Sequence, residues 1–172
     1  MLSVPLKKTR QASVKGALVA HLKKGGDYNP EFDAVFNNLD TLRAQAMAPD
    51  AKINAVKSYV AQLLHLGGKF PVDGGEPEIT LGYNWSNAFN NNTKIDGKFA
   101  LEKAASLFNL AALHTHEGAK LVDPAAMKPC CAHWGNAAGI FKFIRVSLVP
   151  QLGGSGGSDL TPYVHPSKCF SV

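Results

Sequence analysis

Apolar residues recur every three or four positions in five stretches of the chain, which is the spacing of one face of an α-helix. Helices are therefore predicted over residues 11–24, 30–48, 51–66, 97–121 and 124–148. Glycine pairs follow the first and third stretches, at residues 25–26 and 67–68, and glycine just after a helix favours its termination. Pro129 lies inside the last stretch, so that helix either begins at this proline or is kinked there.

Two shorter stretches alternate between apolar and other residues, a pattern that is typical of β-strands. The first comprises Leu2, Val4 and Leu6, and the second runs over residues 78–85. Because a strand on its own leaves its backbone N–H and C=O groups without partners, we expect these two strands to pair.

The composition changes near the end of the chain. Residues 153–158 read Gly-Gly-Ser-Gly-Gly-Ser, which is the composition of a flexible linker, and residues 159–172 carry no amphipathic period. We therefore expect one helical domain over residues 1–150, followed over residues 151–172 by a flexible Gly/Ser linker and a divergent, poorly ordered tail.

Composition and charge narrow the class of protein. Apolar residues make up 45% and charged residues 18% of the 172 residues, which is the balance of a globular domain with a core. The net charge is +5, but no dense run of lysine and arginine occurs, so we predict a solvated basic face and no nucleic-acid partner. No apolar run is long enough to span a bilayer and the first residues lack a secretory profile, so we expect a cytoplasmic protein.

Potential metal ligands and nucleophiles concentrate between residues 114 and 133. They are His114, His116, Glu117, Cys130, Cys131 and His133. Residues two apart on a helix point about 200° apart, and no Cys-x-x-Cys or His-x-x-x-His spacing occurs, which argues against a metal site. A Cys131–His133 nucleophilic pair lacks a third group to orient the histidine. We therefore predict no catalytic, cofactor or metal site, and a small metal-dependent or Cys/His-dependent hydrolase remains an alternative.

Two segments carry the most specific motifs of the chain. Residues 79–89 read Ile-Thr-Leu-Gly-Tyr-Asn-Trp-Ser-Asn-Ala-Phe, and residues 101–113 read Leu-Glu-Lys-Ala-Ala-Ser-Leu-Phe-Asn-Leu-Ala-Ala-Leu. The first resembles the strand-to-helix segment of the Alix-type (Bro-one) domain family, with its tryptophan and its Ala-Phe pair. The second is similar to the same family's glutamate–lysine segment and the Leu-Phe-Asn-Leu-Ala-Ala-Leu run that follows it. Weaker matches elsewhere extend the resemblance to about residues 2–150.

The resemblance implies a fold, a function and partners. The implied fold class is mainly α, a tetratricopeptide-like helical stack with a small N-terminal β-sheet. Members of the family have no catalytic activity of their own and act as adaptors in endosomal sorting and membrane remodelling. They bind the ESCRT-III charged multivesicular body proteins, whose C-terminal amphipathic helix lies in an apolar groove. The expectation is thus a non-enzymatic cytoplasmic scaffold that associates with endosomes and contacts their membrane peripherally.

The resemblance also implies a partner-binding site. In the family a lysine just before a His-Tyr helix contacts the partner helix, and the matching position here is Lys128, next to Met127. The sequence around them, residues 123–128, departs from the acidic, glycine-containing loop of the family. Without the resemblance, Lys128 would be interpreted as a solvated helix lysine and Met127 as a packing methionine.

A complete domain of this family is longer than the chain, so the expectation is a truncated Alix-type domain. The corresponding alternative function is a fragment that lacks the groove and is either inactive or competes with a full-length adaptor. When a helical stack is truncated, its last helices expose the face that would pack against the next helix pair. We accordingly expect Phe141, Ile144 and Leu148 to be partly exposed and to favour self-association.

Overall fold

The computed structural model describes residues 3–10, 12–70, 79, 83–89, 93–96, 99–152 and 160. These residues form five α-helices and one antiparallel β-hairpin. In chain order the elements are α1 (Val14–Gly25), α2 (Phe32–Ala46), α3 (Ile53–Gly67), β1 (Tyr83–Ser86), β2 (Thr93–Asp96), α4 (Phe99–Lys120) and α5 (Met127–Phe143). The mainly helical fold class predicted from the sequence is confirmed, and each predicted helix is present.

The start and end of α1 follow directly from the residues found there. The Ser13 hydroxyl accepts a hydrogen bond from Gly16 N at 2.9 Å and so caps the helix. Gly26 ends it with a φ of 79°, a left-handed conformation that glycine adopts without steric cost. Asp40 of α2 accepts the backbone N–H of Val14 at 2.7 Å, so α2 is joined to the first turn of α1.

Helix α4 lies at the centre of the fold. Every residue from Phe99 to Leu113 is buried, so no face of this stretch meets solvent. Helices α3 and α5 both pack against α4, and so do residues 144–152. Its mixture of large and small apolar side chains allows these neighbours to approach closely. The segment with the most specific sequence motif is therefore the middle of the core.

The structure shows how Pro129 is accommodated. A short 3-10 turn, Pro124–Ala126, precedes α5, and the Asp123 side chain accepts a hydrogen bond from Ala125 N at 2.8 Å. Helix α5 begins at Met127, which places Pro129 in its first turn. Backbone amides in the first turn have no acceptor within the helix, so proline is tolerated there. The structure is close to the first of the two alternatives, because the helix begins two residues before this proline and Pro129 does not lie in its interior.

The predicted N-terminal strand is not formed. The prediction that it would pair with the second strand was therefore largely wrong. Leu2 lies outside the described residues, and residues 3–8 belong to no strand. Thr9 makes a single antiparallel bridge with Trp85. The strand predicted at residues 78–85 is present as β1, and it pairs with β2, which the sequence analysis did not predict.

Side chains of α4 bond to Val4 and Lys7 of the N-terminal segment, residues 3–10, while Lys8 of this segment bonds to Ser86 of β1. Lys7 N donates to Asn109 Oδ1 at 2.8 Å, and Asn109 Nδ2 donates to Lys7 O at 3.0 Å. Val4 N donates to Thr115 Oγ1 at 2.9 Å, and Val4 O bonds to His116 Nε2 at 2.7 Å. These polar side chains meet the bonding needs of the backbone, so the alternating pattern produced no strand.

Two of the three apolar residues at the end of α5 that were expected to be partly exposed are buried. Ile144 and Leu148 are buried, whereas Phe141 is half-buried, and Phe143 and Val146 are exposed. The physical reason is that residues 144–152, which form a π-helical turn and then a 3-10 turn, continue to pack against α4. Leu160 is buried in the same core. The rest of the predicted linker and tail, residues 153–159 and 161–172, lies outside the described residues.

Candidate partner-binding surface

The two residues implied as a partner site lie together at the start of α5. Met127 is the first residue of the helix and is 62% exposed, and Lys128 is also exposed. Val122, in the connection just before, is 86% exposed. An exposed methionine does not pack into the core of this chain, so the structure does not give Met127 the packing role considered above. Both side chains are free to meet a partner from solvent.

The exposed surface that begins at Met127 and Lys128 continues along the solvent face of α5. The middle of this face carries small side chains. The exposed residues on α5 and the turn after it are Met127, Lys128, Pro129, Cys131, Ala132, Gly135, Asn136, Ala138, Gly139, Lys142, Phe143, Arg145 and Val146. A Cβ atom added to Gly135 or Gly139 would meet no other atom within 4 Å, so the space above this part of the helix is open. We call these exposed residues of 127–146 the α5 face.

The α5 face carries only positive charge. Lys128, Lys142 and Arg145 are its charged residues, and the sequence holds no aspartate or glutamate between Asp123 and Asp159. Exposed apolar side chains lie at both ends, with Met127 at one and Phe143 and Val146 at the other. A surface of this kind is complementary to a helix that presents apolar and acidic side chains.

The opposite side of α5 packs closely against α4. Cys130 and Ala137 are buried, and Cys130 Sγ lies 3.5 Å from Gly118 O. Trp134 covers Gly118 so tightly that a Cβ atom added there would lie 2.9 Å from its Nε1 atom. Phe141 packs edge-on against Phe108 of α4, with ring centroids 5.4 Å apart. The position of the α5 face is therefore set by contacts with α4.

Replacing Gly118 with alanine is expected to destabilise the protein by about 1–2 kcal/mol. The new methyl group meets the rigid ring of Trp134, and overpacking of about 1–3 kcal/mol outweighs the gain of about 1 kcal/mol in helix propensity. The measurement is urea unfolding followed by circular dichroism. Gly139→Ala is the matched control, because its site is open and the same propensity gain should stabilise the protein. Equal stabilisation by both variants would contradict the tight packing of α5 against α4.

The structure brings together two of the six potential ligands. His114 Nδ1 of α4 lies 3.0 Å from His133 Nδ1 of α5. Burial lowers the pKa of His114, and the nearby positive charges of His133 and Lys57 lower it further. His116 points elsewhere, onto the N-terminal segment, so the predicted divergence of the two α4 histidines is confirmed. Sequence reasoning missed the pair because its members lie on different helices.

The other candidates do not complete a metal-binding group around this pair. Cys130 is buried and Cys131 is exposed, so these neighbours point in different directions. Within the part of the chain that the structure describes, no three His, Cys, Asp or Glu side chains are placed to hold a metal ion. Two imidazoles supply half of the four ligands of a structural zinc site.

A buried polar network that sequence reasoning also missed joins four elements. Glu102 of α4 is 0% exposed and accepts hydrogen bonds from Arg43 Nε at 2.9 Å, Tyr59 OH at 2.8 Å and Trp85 Nε1 at 2.7 Å. These donors belong to α2, α3 and β1. Arg43 Nη2 also donates to Thr9 Oγ1, so the network reaches the N-terminal segment. Because its carboxylate is sealed from solvent, Glu102 is placed to hold the fold and not to meet a substrate.

Known proteins match this chain along most of its length. The model of the BRO1-like domain family matches residues 1–165. The pH-response regulator protein palA/RIM20 of Aspergillus oryzae is 29% identical over an alignment of 170 positions that covers 93% of this chain and 20% of that protein. The tyrosine-protein phosphatase non-receptor type 23 of Mus musculus is 29% identical over an alignment of 151 positions that covers 84% of this chain and 9% of that protein.

The vacuolar protein-sorting protein BRO1 of Gibberella zeae is 28% identical over an alignment of 156 positions that covers 87% of this chain and 16% of that protein. The chain therefore spans a fifth or less of the length of these relatives.

Solved structures share the fold. A structure of ALIX in complex with the SIVmac239 PYKEVTEDL late domain has a TM-score of 0.81 and 26% sequence identity, and covers 94% of this chain and 26% of that one. The ALIX BRO1 CHMP4C complex has a TM-score of 0.82 and 24% identity, and covers 94% of this chain and 50% of that one. Most of the described fold is thus shared with part of a larger helical structure.

Proposed function

This chain belongs to the BRO1-like domain family, and from that premise we propose that it is a non-enzymatic scaffold that binds the C-terminal amphipathic helix of an ESCRT-III charged multivesicular body protein. The helix is proposed to lie on the α5 face, with Met127 in its apolar contact and Lys128 beside an acidic side chain. The observation that carries the proposal is the combination of exposed apolar residues and exclusively positive charge on that face.

The physical argument rests on how helices bind to exposed faces. An amphipathic helix buries its apolar side chains in a groove, while opposite charges at the rim set its orientation and speed its association. The small side chains in the middle of the α5 face, such as Gly135 and Ala138, leave room for a second helix to approach. One structure with the same fold is an ALIX BRO1 CHMP4C complex, which supports a partner of this class.

Cellular context is proposed from the relatives. One relative is a vacuolar protein-sorting protein, which supports a cytoplasmic adaptor in endosomal sorting that contacts the endosomal membrane peripherally. No helix among the described residues has the length and apolar character to cross a bilayer. Another relative is a tyrosine-protein phosphatase, but the match spans 9% of it, so its activity is not proposed for this chain.

The hydrolase alternative finds no support in the arrangement of its candidate residues. His133 faces His114 on α4, and Cys131 points to solvent from the other side of α5. The most buried carboxylate in the described core, Glu102, is bonded to Arg43, Tyr59 and Trp85. Among the residues that the structure describes, a nucleophile, a base and an orienting acid are therefore not brought together.

Lys128→Asp is expected to weaken binding of the partner peptide about tenfold, which corresponds to about 1.4 kcal/mol. The substitution places a negative charge beside the acidic side chains of the peptide. It leaves the fold intact, because Lys128 is exposed and an acidic residue is favourable in the first turn of a helix. The measurement is fluorescence anisotropy of a labelled peptide from the C-terminus of a charged multivesicular body protein, titrated with the whole chain.

Lys24→Asp is the matched control, because it reverses the charge of an exposed lysine in the last turn of α1. It should leave the dissociation constant unchanged, and a sequence-scrambled peptide should not bind. Equal weakening by both variants would show that binding reports only the net charge of the protein. Absence of binding by a folded wild-type chain would reject the proposed partner and favour the inactive or competing fragment.

A further inference from the structure

The contact between His114 and His133 is unusual among the contacts between α4 and α5. Their Nδ1 atoms lie 3.0 Å apart, within hydrogen-bonding distance, and the two ring centroids are 5.2 Å apart. Next to His133 on α5, Trp134 covers Gly118 of α4. The pair therefore sits inside the interface that positions the α5 face.

The number of protons on the pair decides whether this hydrogen bond exists. A bond between two Nδ1 atoms requires one nitrogen to carry a proton and the other to offer a lone pair. A neutral pair meets this condition in a suitable tautomer, and a singly protonated pair meets it with a charge-assisted bond. When both rings are protonated, both nitrogens are donors, the bond is lost and two positive charges face each other.

The charged groups around the pair also disfavour the second proton. Lys57 on α3 adds a positive charge near His114. Glu117 on α4 is the acidic residue near His133, but its carboxylate is already bonded to Lys120 Nζ at 2.7 Å and is also influenced by Lys52. Lys120 and Lys52 thus offset part of the negative charge that Glu117 would offer to a second protonated imidazole.

We propose that the His114–His133 contact makes the packing of α5 against α4 sensitive to pH, so that acidification loosens α5 and, with it, the α5 face. The unfolded chain holds two independent histidines, which both take up protons below a pH of about 6.5. The folded chain resists the second proton, so it binds fewer protons than the unfolded chain in that range. Stability is therefore retained above that pH and falls as the pH decreases through it. This inference does not depend on the identity of the partner.

The test follows the His114–His133 hydrogen bond and the packing of α5 against α4 in the whole wild-type chain. Nitrogen NMR of the histidine side chains should show a hydrogen bond between the Nδ1 atoms of His114 and His133 at pH 7.5, and this bond should be lost as the pH is lowered to 5. The indole signal of Trp134 should move as the bond is lost, while that of the core residue Trp85 should not. Persistence of the hydrogen bond at pH 5, or an unmoved Trp134 signal, would overturn the proposal.

A set of variants checks the consequence for stability. His133→Phe keeps a ring at the interface but removes the second proton site. The fall in its urea midpoint from pH 7.5 to pH 5.0 should be about twofold smaller than that of the wild type. His65→Gln, which removes an exposed histidine of α3, should keep the wild-type fall. The same fall in all three proteins would also overturn the proposal, and none of these measurements involves the partner peptide.

Discussion

Glu102→Gln is expected to destabilise the protein by about 3–5 kcal/mol, because it removes the buried negative charge that faces the Arg43 guanidinium. Glutamine has the shape of glutamate, but one of its two terminal atoms is a donor. Trp85 Nε1 can only donate, so a glutamine NH2 group facing it would set two donors against each other. A loss of this size is a large part of the 5–15 kcal/mol by which domains are typically stable.

Urea unfolding with linear extrapolation measures this loss. Glu117→Gln is the matched control, since Glu117 lies on the same helix and pairs with Lys120 at the surface, where such pairs contribute about 0–1 kcal/mol. The double variant Arg43→Met with Glu102→Leu should recover only part of the stability, because Tyr59 OH and Trp85 Nε1 then lose their acceptor. A loss below about 1 kcal/mol for Glu102→Gln would contradict the structural role assigned to the network.

Phe108→Ala is expected to destabilise the protein by about 3–5 kcal/mol, as is typical when a fully buried aromatic ring is removed. The ring joins three parts of the fold. It packs edge-on against Phe141 of α5, and Lys7 Nζ of the N-terminal segment lies 5.2 Å from its centroid. The cavity left by the substitution cannot close easily, because α4 is enclosed on every side at this position.

Phe143→Ala provides the comparison, because the same ring is removed from a position that is 43% exposed. Its unfolding free energy should change by less than about 1 kcal/mol. Circular dichroism at 222 nm during urea unfolding gives both values. If the two variants lost similar stability, the central position of α4 in the core would be wrong.

Local patterns in the sequence were sufficient to predict the helices. The spacing of apolar residues and the glycines after α1 and α3 act over a few neighbouring residues, and the structure places these helices as expected. Strand β2 escaped prediction because four residues, Thr93–Asp96, are too few for an alternating period to be recognised. Ile144 and Leu148 follow Ala137 at helical spacing and so share the face of α5 that packs against α4, whereas the expected exposure had been inferred from the truncated helical stack.

The candidate site was predictable only in part. The family resemblance pointed to Met127 and Lys128, and both are exposed as a binding role requires, while their contact with a partner stays a prediction. Glu102 and Asn109 belong to the motif at residues 101–113 that resembles the family. Their hydrogen-bonding partners, Arg43 and Lys7, are 59 and 102 positions away in the sequence. No local period carries information over such distances, so the network and the attachment of the N-terminal segment required the fold.

The attachment of the N-terminal segment to α4 also has a consequence for the order of events during synthesis. Val4 is bonded to Thr115, which is 111 residues later in the chain. At about 5–20 residues per second, a ribosome makes Thr115 roughly 5–20 s after Val4. During that interval the backbone groups of Val4 and Lys7 that bond to α4 in the folded protein have water, or other molecules in the cell, as their hydrogen-bonding partners. These groups are therefore among the last to be fixed, and chaperones have time to reach them before α4 emerges.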